Sequence, residues 1–219
     1  MVLVPLKGSV RLAEIMSSSL LALRGHDNPV GLGPVNKAAV MVIDGMGAEN
    51  LREVAGHARW LSSRWAKRAL IADAGFPSTT ASALTTLTTG VGPGQHGIVG
   101  YTVLDPDSRM LINHLGNWRP HVQPESWQRH PTLFEVAAKE GIASLSLGEP
   151  RFQGTDFTAA TWRGATFQGV GTLEEQLVAV REFFDSHDRA LAYMYWPSLD
   201  RTGHSSGSNS DSWVHRLEE

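Results

Sequence analysis

Apolar residues along the 219-residue chain alternate between two rhythms. Short unbroken apolar runs predict strands buried on both faces: KAAVMVID, ending at Asp44, IASLSLG from Ile142, and ALAYMYWP from Ala190. Between them, apolar positions recur at helical spacing. AENLREVAGHA and RWLSSRWAKRA predict two helices within 48–68, the second with Trp60, Leu61 and Trp65 as its buried face. Ala81, Leu84 and Leu87 predict a helix whose first turn holds Ser78, Thr79 and Thr80. TLFEVAAKEG reads as a helix capped by Thr132 and stopped at Gly141, and TLEEQLVAVREFFDSH as a stronger one with Thr172 and Glu175 in capping-box spacing. The amino-terminal MVLVPLKGSVRLAEIMSSSLLALRG reads as an amphipathic helix, ALIADAGF as a further short strand, and SWVHRLEE as a closing helix. GIVGYTVLDPDSRMLINHL predicts two strands joined at the turn DPDS.

Strands alternating with helices define the expected fold class: α/β, with a mostly parallel central sheet and helices on both faces. No internal repeat or low-complexity linker interrupts the chain, so 1–219 is expected to form a single domain, with an inserted hairpin and loop at about 99–130. Ligand sites in such sheets lie beyond the carboxyl ends of the strands, where Asp44 and Asp200 both fall.

Composition narrows the chemistry. A formal charge of −3 and the lack of a Lys/Arg run argue against a nucleic-acid surface. The chain contains no cysteine, so a metal would have to be held by carboxylate, imidazole or hydroxyl groups. No run approaches the ~18 apolar residues of a membrane span, and the amino terminus lacks a signal-peptide core, so a cytoplasmic location is expected. Oligomeric state is not readable.

Three segments concentrate the candidate chemistry: VIDGMG around Asp44, FPSTTASALTTLTTGVGPGQHGIVGY around Thr80, and SLDRTGHSSG around Asp200 and His204. Taken singly, each has an ordinary explanation: a turn-forming acid, a capped helix whose hydroxyls bond back to its carbonyls, and a surface turn. In this order they resemble the alkaline phosphatase superfamily, most closely its nucleotide pyrophosphatase/phosphodiesterase branch, over roughly Lys37 to Gly207. The resemblance implies an alkaline-phosphatase-like fold and a metal-dependent phosphoric ester hydrolase acting on a small phosphate ester or nucleotide-like substrate. It also implies two divalent metal ions, zinc by family habit, with Asp44 and Thr80 at one and Asp200 and His204 at the other. Thr80 would be the nucleophile. Two metals roughly 3.5–4 Å apart can clamp both oxygens of an in-line displacement, and a threonine hydroxyl needs such activation.

Departures from the family pattern set further expectations. Tyr101 stands where the branch usually has an Asn that holds a phosphate oxygen, which makes Tyr101 a substrate-binding candidate. His96 is similar to a family histidine with a structural role. The family's downstream Asp-His pair and later His have no counterpart before Glu219, so the chain is expected to lack a carboxyl-terminal part, with the remaining ligands beyond Glu219, and to be an inactive fragment. Alternatives are a phosphomonoesterase or phosphonate hydrolase of the same superfamily, or a degenerate, non-catalytic binding domain. His57, His114, His121, His130 and His187 have no partner at a telling spacing and read as structural or surface residues, while the aromatic loop from Trp118 to Trp127 is a candidate pocket wall.

Overall fold

A computed structural model describes residues 10–116, 118–120 and 122–219. In chain order these form β1 (Val10–Arg11), α1 (Ala13–Leu23), β2 (Lys37–Ile43), α2 (Ala48–Glu53), α3 (Arg59–Arg68), β3 (Ala72–Asp73), α4 (Thr80–Thr89) and α5 (Pro93–His96). The hairpin β4 (Thr102–Leu104) and β5 (Leu111–Asn113) follows, then α6 (Pro124–Trp127), α7 (Leu133–Lys139) and β6 (Ala143–Gly148). A 3-10 turn at Pro150–Phe152 leads to α8 (Asp156–Thr161), β7 (Thr166–Gly169), α9 (Leu173–Asp185), β8 (Ala190–Trp196), α10 (Ser198–Ser206) and α11 (Asp211–Glu218).

The central sheet has the order β2-β8-β6-β7, and β6 pairs in parallel with both β7 and β8. This is the α/β architecture the hydrophobic rhythm predicts. Strand β8 lies between two neighbours, which explains its unbroken apolar run: Ala190 through Tyr195 are all buried. Strand β7 was not legible from the pattern; TFQG alternates between exposed and half-buried positions at the sheet edge.

The chain divides into two compact units, one of residues 1–40 and 72–194 and the other of 41–71 and 195–219. In the first, Leu145 and Leu147 of β6, Ala192 and Met194 of β8, and Ala179 and Val180 of α9 form a core cluster. Burying each large side chain of this kind contributes about 1.5–3 kcal/mol. Helix α4 packs against α1, α5, α7 and α8, and every residue from Ala81 to Thr89 except Ala83 is buried. Its threonines keep their buried hydroxyls bonded by donating to carbonyls one turn back: Thr85 to Ala81 at 2.6 Å, Thr88 to Leu84 at 3.0 Å and Thr89 to Thr85 at 2.6 Å. Thr132 and Thr172 cap α7 and α9 as reciprocal capping boxes with Glu135 and Glu175, as their spacing predicts.

The predicted hairpin is present as an antiparallel pair, with Asp105 of the turn accepting from the Ser108 amide at 3.0 Å. The aromatic loop after it is anchored inward through two tryptophans. Trp118 is fully buried, and the rings of Trp118 and Trp127 lie 5.1 and 5.4 Å from the buried ring of His114. Their indole N–H groups donate to the carbonyls of His114 and Gly97, both at 3.0 Å. Asp156 fastens the same loop by accepting from the amides of Trp118 and Arg119 and from the Arg119 guanidinium. Burial would push the Asp156 carboxyl up, but these donors together hold it below the usual carboxylate range.

In the second unit Trp213 is fully buried with Val54 and Leu199, and Ile43, Met46, Val214 and Leu217 pack around them. Trp60 departs from the expected buried helix face. It is 68% exposed, with the Arg64 guanidinium 5.4 Å from its ring centroid, and Leu61 and Trp65 are only half-buried. The amino-terminal helix is shorter than its sequence pattern: Val10 and Arg11 form a two-residue parallel pairing with Ala72 and Asp73, and α1 begins at Ala13. The expectation for residues 1–9 and for His121 lies outside the described residues.

Candidate active site

The second unit brings three of the sequence-predicted residues together: Asp44, Asp200 and His204. Asp44 occupies the turn immediately after β2, and its amide donates to the Trp196 carbonyl at the end of β8 at 3.0 Å. The Asp44 carbonyl in turn accepts from the Asp200 amide at 3.0 Å. These two bonds set the two acid-bearing segments side by side. LDRTGH is a helix and not a surface turn: α10 places Asp200 in its first turn and His204 one turn later on the same face, with His204 Nε2 3.5 Å from Asp200 Oδ1.

Gly45 makes this approach possible. Its φ is +78°, and a Cβ there would sit 2.5 Å from both the Cα and the amide nitrogen of Asp200. Only glycine satisfies both the left-handed backbone and the missing volume. The Asp44 carboxylate is held at both oxygens: Oδ1 accepts from the Gly45 amide at 3.0 Å, and Oδ2 accepts from the Tyr195 hydroxyl at 2.7 Å. Neither Gly45 nor Tyr195 stood out in the sequence. Gly45 was visible only as a glycine after an acid, and Tyr195 was hidden in an apolar strand.

Electrostatics mark the same place. The Asp200 carboxyl is pushed above its ordinary value, first by burial and then by the Asp44 charge, against the opposing pull of His204 and Arg201. A carboxylate beside a second acid is eased by a cation, and carboxylate with imidazole is a fitting donor set for zinc. Among the described residues, however, no group of three or more His, Asp or Glu side chains is gathered closely enough to hold a metal ion. The donors match in kind and make a partial set.

Thr80 and Tyr101 belong to the first unit. Helix α4 begins at Thr80, with Thr79 at the cap position in extended conformation, so the first turn does not include Ser78 and Thr79 as the pattern predicts. Thr80 is half-buried and is the first residue of a helix otherwise fixed by packing. The amides of the first turn have no intrahelical acceptor, and the positive end of the helix dipole lies with them. His96 steadies the far end of α4. Its Nδ1 accepts from the Ile98 amide at 3.1 Å, so the neutral ring carries its proton on Nε2 and donates to Thr86 Oγ1 at 3.0 Å. Burial, with smaller contributions from His130 and His114, lowers the His96 pKa to about 4, which keeps it neutral and structural. Tyr101 is 50% exposed, and its carbonyl accepts from the His114 amide at 2.8 Å.

The α/β chain thus places an acid after its first long strand, a threonine at the start of a buried helix, and an Asp/His pair in the helix that follows a later strand. The sequence model of the type I phosphodiesterase / nucleotide pyrophosphatase family matches residues 38–219, and the chain belongs to that family. Among solved structures it is similar to murine ectonucleotide pyrophosphatase/phosphodiesterase 5, in an inactive threonine-to-alanine form in complex with AMP. The identity is 19% and the TM-score 0.61, over 84% of this chain and 49% of that one. A second structure of the murine protein matches at 20% identity and TM-score 0.61, over 83% and 48%. The human protein matches at 18% identity and TM-score 0.59, over 83% and 48%. The chain thus spans about half the length of these relatives. No curated protein sequence matches it significantly. Among the described residues no helix is long and apolar enough to cross a membrane.

Proposed function

We propose that this chain carries the nucleophile and part of the metal-binding apparatus of a phosphodiesterase that acts on nucleotide-like esters. The observation that carries the reading is Thr80 at the first position of α4, a helix immobilised by four neighbours. Family membership supports it. So does the murine relative, whose inactive form differs by one threonine-to-alanine change and is in complex with AMP.

In this mechanism the phosphoryl group of the substrate rests on the first-turn amides of α4, which complement its charge as it builds in the transition state. The Thr80 hydroxyl gives up its proton as its oxygen attacks phosphorus in line; the P–O bond to the leaving group breaks as the bond to Thr80 forms, and the leaving oxygen takes up one proton in exchange. Water then attacks phosphorus of the nucleotidyl-threonine; the bond from phosphorus to Thr80 breaks, the water oxygen stays on the released nucleotide monophosphate, and a proton returns to the Thr80 oxygen. Asp44, Asp200 and His204 would contribute to holding divalent cations, zinc by donor type, and such cations would supply Lewis-acid stabilisation of negative charge on a phosphate ester. Tyr101 would donate a hydrogen bond to a phosphate oxygen in place of the usual amide side chain. With only a partial donor set, the 219 residues in isolation are expected to hold metal weakly and to turn over slowly.

The test uses zinc-supplemented protein in its full-length form, assayed on the nitrophenyl ester of a nucleotide and on nitrophenyl phosphate. The expected result is a clear preference for the nucleotide diester, lost in Thr80→Ala while zinc affinity is mostly kept. A strong preference for the monoester would favour the phosphomonoesterase alternative. Activity retained in Thr80→Ala would remove Thr80 from the mechanism.

A further inference from the structure

We infer that Tyr195 is a positioning residue for the Asp44 carboxylate, setting its orientation for metal binding; the inference rests on the metal-binding reading above. Three observations combine. Tyr195 is 6% exposed, rooted near the end of β8, so its ring is fixed by packing and its hydroxyl has a defined place. That hydroxyl donates to Asp44 Oδ2 at 2.7 Å, a short bond to an acceptor that carries charge. Asp44 itself sits on the turn that follows β2.

With the Gly45 amide on Oδ1 and Tyr195 on Oδ2, rotation of the carboxylate about its terminal bond is restricted at both ends. A carboxylate oxygen has two lone pairs, so accepting one hydrogen bond leaves its capacity to bind a cation intact. Such partners orient a ligand before the metal arrives, and their loss typically weakens metal affinity 10–100-fold. The arrangement also explains a polar tip in a strand that otherwise reads ALAYMYW: a phenylalanine would pack as well but could not hold the acid.

The experiment measures zinc affinity of the untagged 219-residue chain by chelator competition, for the wild type, Tyr195→Phe, Asp44→Asn and the double variant, with the metal-free melting midpoint of each recorded alongside. Tyr195→Phe is expected to weaken zinc binding about 10-fold or more. In the Asp44→Asn background the same change should add nothing, since Tyr195 acts through Asp44. A purely structural tyrosine would lower the melting midpoint in both backgrounds without changing affinity, which would overturn the positioning role. Unchanged zinc affinity in Tyr195→Phe beside measurable wild-type binding overturns it as well. Absence of wild-type binding, or binding that Asp44→Asn leaves intact, instead overturns the metal reading, and the inference falls with it.

Discussion

The two regions that hold the candidate chemistry are built by different physics. Around Thr80 the order comes from packing: α4 is buried along most of its length, the hydroxyls of Thr85, Thr88 and Thr89 bond back to its own carbonyls, and a neutral histidine closes its far end. Around Asp44 and Asp200 the order comes from backbone contact and hydrogen bonds at a half-exposed turn, where one glycine allows two chain segments to touch. A nucleophile must be placed to a fraction of an ångström, and a packed helix does that. The two acids proposed as metal ligands must instead sit close despite their like charge, a condition that packing alone would oppose.

That difference can be attacked at its weakest point. Gly45→Ala should have the largest effect, because it adds a Cβ at 2.5 Å from the Asp200 backbone and imposes a left-handed φ on a residue that disfavours it. A loss on the order of 3–5 kcal/mol in urea denaturation is expected, with zinc binding lost even where the protein still folds. An alanine tolerated with less than about 1 kcal/mol would mean the two segments are not held as described.

Next comes pH, which should act on the packed region. The His96 pKa is depressed to about 4 from an ordinary 6.5, so its contribution to stability is full above pH 6.5. As pH falls from 6.5 toward 4 the unfolded chain takes up a proton that the folded chain refuses, and stability declines by about 1–3 kcal/mol. Urea midpoints at pH 7.5 and 4.5 measure this. His96→Gln should start lower and change less between the two pH values.

The smallest effect has the opposite sign. Asp200 has a raised folded pKa, so the stability associated with its protonated form is present at low pH and lost as pH rises through the folded value. Asp200→Asn removes that loss at neutral pH, and the metal-free chain should melt slightly higher, by about 1–3 °C. A lower midpoint would show that the acid stabilises the turn and is not strained by its neighbour. Together with weakened zinc binding, the higher midpoint would identify Asp200 as a residue kept for function at the expense of stability.

These contrasts also explain what could be read from sequence. Packing leaves a periodic trace, so β8, α4, α9 and the capping boxes at Thr132 and Thr172 were legible from spacing alone. Asp44, Thr80, Asp200 and His204 were found only because three motifs occur in a family order; no periodicity points to them. Tyr195 and Gly45 were missed because their roles depend on a contact between residues some 150 positions apart. The edge strand β7 and the short α8 were missed because each is too brief to establish a rhythm. The anchoring of the aromatic loop was likewise not legible, since the bonds of Trp118 and Trp127 to His114 and Gly97 are not encoded in spacing.

The central claim is that Thr80 becomes covalently bonded to phosphorus during turnover. Acid-quenched mass spectrometry of the full-length, zinc-supplemented protein, mixed with the nitrophenyl ester of a nucleotide, tests it most directly. The account predicts a phosphoryl or nucleotidyl adduct on the peptide containing Thr80, absent from Thr80→Ala, whose nitrophenol release is also lost. Steady nitrophenol release with no adduct on that peptide, undiminished in Thr80→Ala, would contradict it.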